Sequence, residues 1–267
     1  MSSATQEILG IKITAEPFAH VLSAIRESLE QPGRNGAYVC ATSVHGVVEA
    51  QTDHELKNML NNAFLNLPDG MPLVKVGRLL GSKQMERMWG PELFYRVCEM
   101  TSKMDVSHFF YGGQEGVAKE LARNIQQKFP RFKVAGYYCP PFRPLSQQET
   151  LQITKRINES GADIVWVGLS TPKQEKWIGE FHTRLDVKLL FSVGAAFDYH
   201  TGRLKLTPPL FRRLGLEWFY RLLLEPRRLW RRYVKIVPYF LAKSGMQVAR
   251  SVFLTKREME TKTREPT

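Results

Sequence analysis

Short apolar segments that alternate with amphipathic helical stretches constrain the fold of this chain most strongly. Each apolar segment is bounded by turn-forming residues, which is typical of strands buried within a parallel sheet. Five such strands are predicted, at Ala37–Val44, Ser107–Tyr111, Lys133–Tyr138, Asp163–Leu169 and Lys188–Val193. The alternation predicts an α/β fold: a doubly wound, Rossmann-like parallel sheet with helices on both faces.

Helices are predicted between these strands, at Gly116–Lys128, Ser146–Ser160 and Thr171–Leu185. Ser146 and Glu149 have the spacing of a capping box. Ligands of doubly wound sheets bind beyond the carboxyl ends of the strands. We therefore expect the functional residues in the loops that follow the strands.

A basic region begins after Gly202 and continues toward the end of the chain. The 267 residues carry a net charge of +12, and the stretch from Arg212 to Lys235 holds eight basic and two acidic residues, a net +6. Two helices are predicted here, at Leu216–Leu224 and from Pro226 onward, with disorder from Lys256. We expect an α/β domain over residues 1–206 and a basic helical C-terminal appendage over residues 207–267.

The positive charge requires an anionic partner: a phosphate-bearing ligand, nucleic acid or anionic lipid. In the second appendage helix, Trp230, Tyr233, Val237 and Phe240 recur at helical spacing, and such a basic, aromatic helix is typical of a membrane interface. A solvated charged face explains the composition equally well. Because no standard nucleic-acid-binding motif is present, we expect an anionic membrane surface and no nucleic acid.

The expected location is cytoplasmic, peripherally associated with the inner face of the cell membrane. The first ten residues lack the features of a signal peptide. No uncharged apolar run approaches the roughly 20 residues of a spanning helix. The three cysteines are scattered, which is typical of reduced thiols.

Gly112 and Gly113 follow a predicted strand and precede a helix. Backbone N–H groups at such a turn suit a diphosphate, although an ordinary strand-to-helix turn explains the glycines at least as well. A nicotinamide enzyme would place an acid near the end of the next strand, where Gly136–Tyr138 has none.

Two further loops contain candidate functional residues. Pro68-Asp69-Gly70 is a good turn sequence, yet its single carboxylate is also a candidate general base. In Gly168 through Glu175, Thr171 is predicted to cap a helix with Pro172 in its first turn. Lys173 beside that helix start is unexpected unless an anion binds there.

Several kinds of catalysis are disfavoured by absent motifs. The chain has no Asp-x-Asp, no histidine spacing suited to a metal, no Gly-x-Ser-x-Gly and no Walker A loop. We therefore expect no metal and no cofactor, with cations or N–H groups stabilising a leaving diphosphate.

Taken in order, these segments resemble the WecG/TagA/CpsF family of bacterial glycosyltransferases, from about Ala37 to Tyr233. The landmarks are Leu67–Pro72, Tyr111–Gly113, Ser160–Asp163, Gly168–Glu175, Val193–Asp198 and Arg213–Arg228. The resemblance implies a metal-independent, inverting transferase that uses a UDP-sugar. It also implies an acceptor sugar linked to undecaprenyl diphosphate, in cell-envelope or exopolysaccharide synthesis.

The resemblance also assigns residue roles. Asp69 is implied as the general base, Arg87 as the donor-binding arginine and Gln174 as a further site residue. The appendage arginines implied to close over the diphosphate are Arg221, Arg228 and Arg231. With them, the expected substrate-binding residues are Thr42, Ser43, Gly112, Gly113, Gly168 and Lys173.

The chain departs from the family pattern at two places. The family's Thr-x-Asn aligns with Ala41-Thr42-Ser43, so the threonine role is either lost or taken by Thr42 or Ser43. Met88-Trp89 replaces the more common Val-Thr, and both residues are expected where a sugar sits. The donor sugar thus stays open between N-acetylmannosamine, glucose and another hexose.

Three functional hypotheses follow. The first is the membrane-associated transferase, with homo-oligomerisation left open. The second is a nucleotide-dependent oxidoreductase, which the missing ribose-binding acid disfavours. The third is a non-catalytic basic adaptor, which the combination of Asp69, Arg87 and Gln174 disfavours.

Overall fold

The computed structural model describes residues 3–262, and the side chains at 209, 213, 228 and 255–262 lie outside that description. The strands are β1 (Thr5–Ile8), β2 (Ile11–Thr14), β3 (Ala37–Thr42), β4 (Leu65–Pro68), β5 (Ser107–Gly112), β6 (Lys133–Tyr138), β7 (Ile164–Gly168) and β8 (Leu189–Ser192). The helices are α1 (Phe18–Glu30), α2 (Val44–Glu49), α3 (His54–Asn61), α4 (Met71–Leu79), α5 (Gly90–Thr101), α6 (Val117–Lys128), α7 (Gln147–Glu159), α8 (Lys173–Phe181), α9 (Ala196–His200), α10 (Pro209–Leu214), α11 (Glu217–Leu224) and α12 (Pro226–Lys262).

Six strands form one parallel sheet in the order β4-β3-β8-β7-β5-β6. The five predicted strands are confirmed as β3, β5, β6, β7 and β8, with ends that differ by at most two residues. The carboxyl ends of all six strands therefore lie along one edge of the sheet, where the sequence analysis expects the site.

Helices cover both faces of the sheet, which confirms the doubly wound architecture. Successive residues of a strand point to opposite faces, and so Val39 and Cys40 of β3 belong to different core clusters. The cluster with Val39 includes residues of α1, α5 and α6, and the cluster with Cys40 includes residues of α2, α3, α7 and α8. Burial on both faces explains the almost continuous apolar character of these strands.

The sequence analysis missed three strands. In β4, the polar residue Asn66 is buried and donates from Nδ2 to the backbone oxygen of Lys12 at 2.9 Å. The edge position of β4 also tolerates Pro68. Strands β1 and β2 form a hairpin whose two-residue turn places Leu9 and Gly10 at φ of 51° and 76°.

Two predicted helix starts differ in outcome. The capping box of α7 is confirmed, because the Ser146 hydroxyl accepts from Glu149 N–H and the Glu149 carboxylate accepts from Ser146 N–H. The start of α8 at Thr171 is wrong, since the helix begins at Lys173. The Thr171 hydroxyl instead donates to the Glu175 carboxylate at 3.0 Å.

The long helix α12 packs against the α/β core along one face. Ile236 and Phe240 are buried in the same cluster as residues of α2, α3 and α8. Farther along, the Gln247 side chain accepts from Leu9 N–H at 3.0 Å and donates to the Glu7 backbone oxygen at 2.9 Å. The appendage thus shares a hydrophobic core with the sheet and also contacts the N-terminal hairpin.

The outer face of α12 differs from the apolar stripe that the sequence predicts. Trp230 is 49% exposed, whereas Leu229 beside it is buried. The helical backbone continues past Lys256, where disorder was predicted, as far as Lys262. The rest of that prediction concerns residues 263–267, which lie outside the described part of the chain.

Candidate active site

Asp69 lies at the carboxyl edge of the sheet, in the connection between β4 and α4. Its N–H donates to the Thr42 backbone oxygen at 3.0 Å, which ties it to the end of the neighbouring strand. Its carboxylate oxygen Oδ1 accepts from Gly90 N–H, the first residue of α5, at 2.7 Å. The helix N-terminus thereby stabilises the ionised carboxylate.

Gly90 is required for this arrangement. A Cβ atom there would lie 2.8 Å from the Val193 backbone oxygen and 3.6 Å from Asp69 Oδ1. A larger residue would therefore push α5 away from the end of β8 and from the carboxylate.

The electrostatic setting of Asp69 suits a general base. Burial raises the pKa of its carboxyl above the ordinary value for an aspartate, while Gly90 N–H, Arg87 and Arg221 partly offset that shift. Among the described residues, no hydrogen bond is made to Oδ2. This oxygen is therefore available to accept a proton from a bound hydroxyl group.

Arg87 joins the Asp69 loop to the appendage. Its Nε donates to the Asp69 backbone oxygen at 2.8 Å, and its Nη2 lies 2.5 Å from Glu217 Oε2 in α11. Both charged side chains are mostly buried, at 15% and 19% exposure. Burial raises the pKa of Glu217, Arg87 opposes that shift, and Asp69 adds to it.

The predicted appendage arginines occupy different places. Arg221, one turn after Glu217 on α11, is close enough to Asp69 to lower its pKa. Arg231 lies exposed on α12, with its guanidinium 5.5 Å from the centre of the Trp230 ring. The contacts described for Arg231 do not include the Asp69 cluster, and the side chain of Arg228 lies outside the described residues.

Gln174 is buried at the start of α8 and both ends of its amide are engaged. Its Nε2 donates to Glu175 Oε1 at 2.8 Å, and its Oε1 accepts from Gly194 N–H at 3.0 Å. Burial raises the pKa of Glu175. Gln174 thus connects the starts of the loops after β7 and β8. The Lys173 ammonium beside it lies 5.5 Å from the centre of the Phe142 ring.

The predicted glycines lie where β5 and β7 end side by side. Gly112 has φ of 132°, and a Cβ there would lie 2.5 Å from the Gly168 backbone oxygen. Gly113 N–H donates to that same oxygen at 3.1 Å. Close contact between the two strand ends therefore accounts for glycine at position 112, whatever ligand the loop binds.

Thr42 and Ser43 lie at the end of β3 and the start of α2. Thr42 Oγ1 is buried and has no hydrogen-bond partner among the described residues, so it has bonding capacity left for a water molecule or a ligand. Ser43 is the N-cap residue of α2 but makes no side-chain cap. Neither side chain is therefore engaged in capping a helix or in another hydrogen bond within the described residues.

Glu217 and Tyr199 were missed as site residues in the sequence analysis, whereas Trp89 was named there as a residue expected where a sugar sits. Glu217, Trp89 and Tyr199 surround Asp69 and Arg87. The one available signal was Glu217, an acid in an otherwise basic stretch. Within residues 3–262, no group of three or more His, Cys, Asp or Glu side chains is arranged to hold a metal ion.

Fold and site together define an α/β protein in which the Asp69 carboxylate and several cations lie at the carboxyl edge of a doubly wound sheet, the edge where ligands bind in this class. Residues 6–253 match the model of the glycosyl transferase WecG/TagA/CpsF family. The chain belongs to this family and is a glycosyltransferase, which confirms the resemblance and decides against the oxidoreductase and the adaptor.

Three relatives carry one name, N-acetylglucosaminyldiphosphoundecaprenol N-acetyl-beta-D-mannosaminyltransferase. The protein of Bacillus subtilis (strain 168) is 30% identical over 225 residues, which cover 84% of this chain and 86% of the relative. That of Bacillus spizizenii is 30% identical over 207 residues, 78% of each chain. That of Staphylococcus aureus (strain MRSA252) is 25% identical over 242 residues, 91% of this chain and 92% of the relative.

Proposed function

We propose that this chain is an inverting, metal-independent transferase that moves a hexose or N-acetylhexosamine from a UDP-sugar to an acceptor sugar linked to undecaprenyl diphosphate. The observation that carries the proposal is the position of Asp69 after β4 at the carboxyl edge of the sheet, where Oδ1 accepts from Gly90 N–H and, among the described residues, Oδ2 accepts no hydrogen bond. The names of the relatives support the lipid-linked acceptor. N-acetylmannosamine and glucose both stay candidates for the donor sugar.

In the proposed reaction, the oxygen of the acceptor hydroxyl group attacks the anomeric carbon of the donor sugar. Asp69 Oδ2 takes the proton of that hydroxyl group as the new bond forms. The bond from that carbon to the diphosphate oxygen breaks on the opposite face, and UDP leaves with the bonding electrons. The configuration at the anomeric carbon is thereby inverted. The raised pKa of Asp69 favours proton uptake, since a base works best when its pKa approaches the operating pH.

Cationic side chains are proposed to stabilise the leaving diphosphate in place of a metal. Arg87 donates to the Asp69 backbone oxygen, Arg221 is close enough to lower the pKa of Asp69, and Lys173 is the first residue of α8. The planar fork of arginine matches phosphate oxygens well. Since Glu217 already pairs with Arg87, the donor diphosphate would compete with that carboxylate for the guanidinium group.

The appendage is proposed to hold the enzyme at the inner face of the cell membrane. Between positions 210 and 234, its large exposed apolar side chains are Leu210, Leu214, Leu216, Phe219, Leu223, Leu224, Trp230 and Val234. Basic residues lie among them, and each contributes about 1 kcal/mol at an anionic surface. Within the described residues, no helix is both long and apolar enough to cross a bilayer.

The decisive experiment replaces Asp69 with asparagine, which keeps the shape and the Gly90 contact but removes the base. Transfer to a soluble short-chain diphosphate-linked sugar should fall about 10²–10⁴-fold, while UDP still binds. Asp186→Asn, at an exposed aspartate, is the matched control. Activity of Asp69→Asn within a few-fold of the wild type would contradict the assignment, and loss of wild-type activity in EDTA would contradict metal independence.

A further inference from the structure

Two aromatic side chains stand beside Asp69 without a role in the chemistry described so far. Trp89 and Tyr199 are both partly exposed, and their ring centres lie 4.9 Å apart at an interplanar angle of 72°. Met88, by contrast, is buried in the core. The expectation that Met88 and Trp89 both lie where a sugar sits is therefore wrong for Met88, because its side chain is buried in the hydrophobic core.

The backbone places Trp89 directly against the anchor of the general base. Trp89 is the N-cap residue of α5, and the next N–H in the chain, that of Gly90, holds Asp69 Oδ1. The Arg87 guanidinium lies 5.5 Å from the centre of the Trp89 ring. Trp89 therefore directly precedes the residue that holds Oδ1 of the proposed base, and its ring lies beside Arg87.

Tyr199 reaches the Trp89 ring from a different helix. It lies in α9, which follows β8, and it is within electrostatic range of Arg221, Glu217 and Asp69. The two nearly perpendicular rings thus form a partly exposed corner between the catalytic carboxylate and helix α11. Partly exposed aromatic surface in such a crevice suits a ligand with both apolar and polar faces.

We propose that Trp89 and Tyr199 form the platform for the pyranose ring of the acceptor sugar, with its reacting hydroxyl group directed at Asp69. This inference rests on the proposed function. A sugar ring presents C–H groups on its faces and hydroxyl groups around its rim, so it stacks on aromatic rings while its rim meets the charged residues. Holding the ring in this orientation supplies the alignment that transfer requires.

The platform belongs to the acceptor because of the geometry of inversion. The acceptor oxygen and the leaving diphosphate lie on opposite faces of the anomeric carbon. Asp69 marks the acceptor side, and Trp89 is joined to the residue that anchors it. Loss of the Trp89 ring should therefore affect the acceptor rather than the donor.

The test measures KM for a soluble diphosphate-linked acceptor and for the UDP-sugar in Trp89→Ala, Trp89→Phe and Tyr199→Phe. For Trp89→Ala, we expect the acceptor KM to rise about five- to tenfold, with the donor KM and the UDP affinity within twofold. Trp89→Phe should recover much of the loss, and Tyr199→Phe, which keeps its ring but loses its hydroxyl group, should raise the acceptor KM by less than Trp89→Ala does. Phe253→Ala, at an exposed aromatic residue far along α12, is the control.

Two results would overturn the platform. One is an acceptor KM within twofold of the wild type in Trp89→Ala, and the other is a rise confined to the donor KM. Thermal melting shows whether Trp89→Ala is folded. If it is not, the test uses Trp89→Phe, for which the change in acceptor KM is compared with the change in donor KM. If the wild type transfers no sugar, or Asp69→Asn retains transfer, the proposed function itself fails, which is a separate outcome.

Discussion

The ion pair between Arg87 and Glu217 should couple the appendage to the Asp69 loop, and a double-mutant cycle can measure that coupling. The variants are Arg87→Ala, Glu217→Ala and the double variant, compared by the free energy of unfolding in urea. The Nη2–Oε2 distance is 2.5 Å, and the side chains are only 15% and 19% exposed. The pair thus lies between a buried and a surface ion pair, and we expect a coupling free energy of about 1–3 kcal/mol.

The Arg203–Glu120 pair provides the matched control. It has the same chemistry at 2.7 Å but is 38% and 32% exposed. Its coupling should be about 0.2–1 kcal/mol and should weaken more as salt rises. A coupling for Arg87–Glu217 no larger than that of the control would refute the reasoning that burial makes this contact hold the appendage in place.

The pH dependence of the same coupling follows from Glu217. Since burial raises its pKa in the folded protein, the carboxyl takes up a proton at higher pH than an ordinary glutamate. As the pH falls, the coupling free energy should therefore be lost at a pH above the ordinary pKa of glutamate. The effect of Glu217 protonation on the free energy of unfolding runs the other way. Because the pKa of Glu217 is higher in the folded than in the unfolded protein, its protonation stabilises the folded state at low pH, and this stabilisation is lost as pH rises through the folded-state pKa.

Two further predictions concern catalysis and membrane binding. The acid limb of the pH profile of kcat/KM should have an apparent pKa above that of an ordinary aspartate, because burial raises the pKa of Asp69 and only its ionised form accepts a proton. An apparent pKa at or below the ordinary value would contradict this. Replacing Arg232 and Lys235 together with glutamate should reduce co-sedimentation with anionic vesicles while turnover of a soluble acceptor stays within twofold. Lys103→Glu with Lys155→Glu is the control, and equal loss in both pairs would argue against a specific docking surface.

The appendage contacts both the hydrophobic core and the site. One face of α12 is packed into the core through Ile236 and Phe240. The preceding helix, α11, presents Glu217 and Arg221 to the site. Exposed apolar and basic residues are thereby left on the outside, next to the crevice.

The local sequence was sufficient for much of the fold. Continuous apolar runs predicted β3, β5, β7 and β8, because a strand buried on both faces needs largely apolar residues. The edge strand β6 was predicted in the same way, although its residues are only partly buried or exposed. The capping box of α7 was also predicted, since its hydrogen bonds join residues three apart. Strand β4 was missed, because its buried Asn66 is satisfied by the distant backbone of Lys12.

The contacts around the site were decided by the tertiary structure. The motifs indicated Asp69, Arg87 and Gln174 as site residues. They did not indicate that Glu217, 130 positions after Arg87, pairs with it, or that Trp89 meets Tyr199. Periodicity and capping depend on neighbours within a few residues, whereas these pairs depend on which strand ends lie side by side. Only the order of strands in the sheet and the packing of the helices across its carboxyl edge bring such residues together.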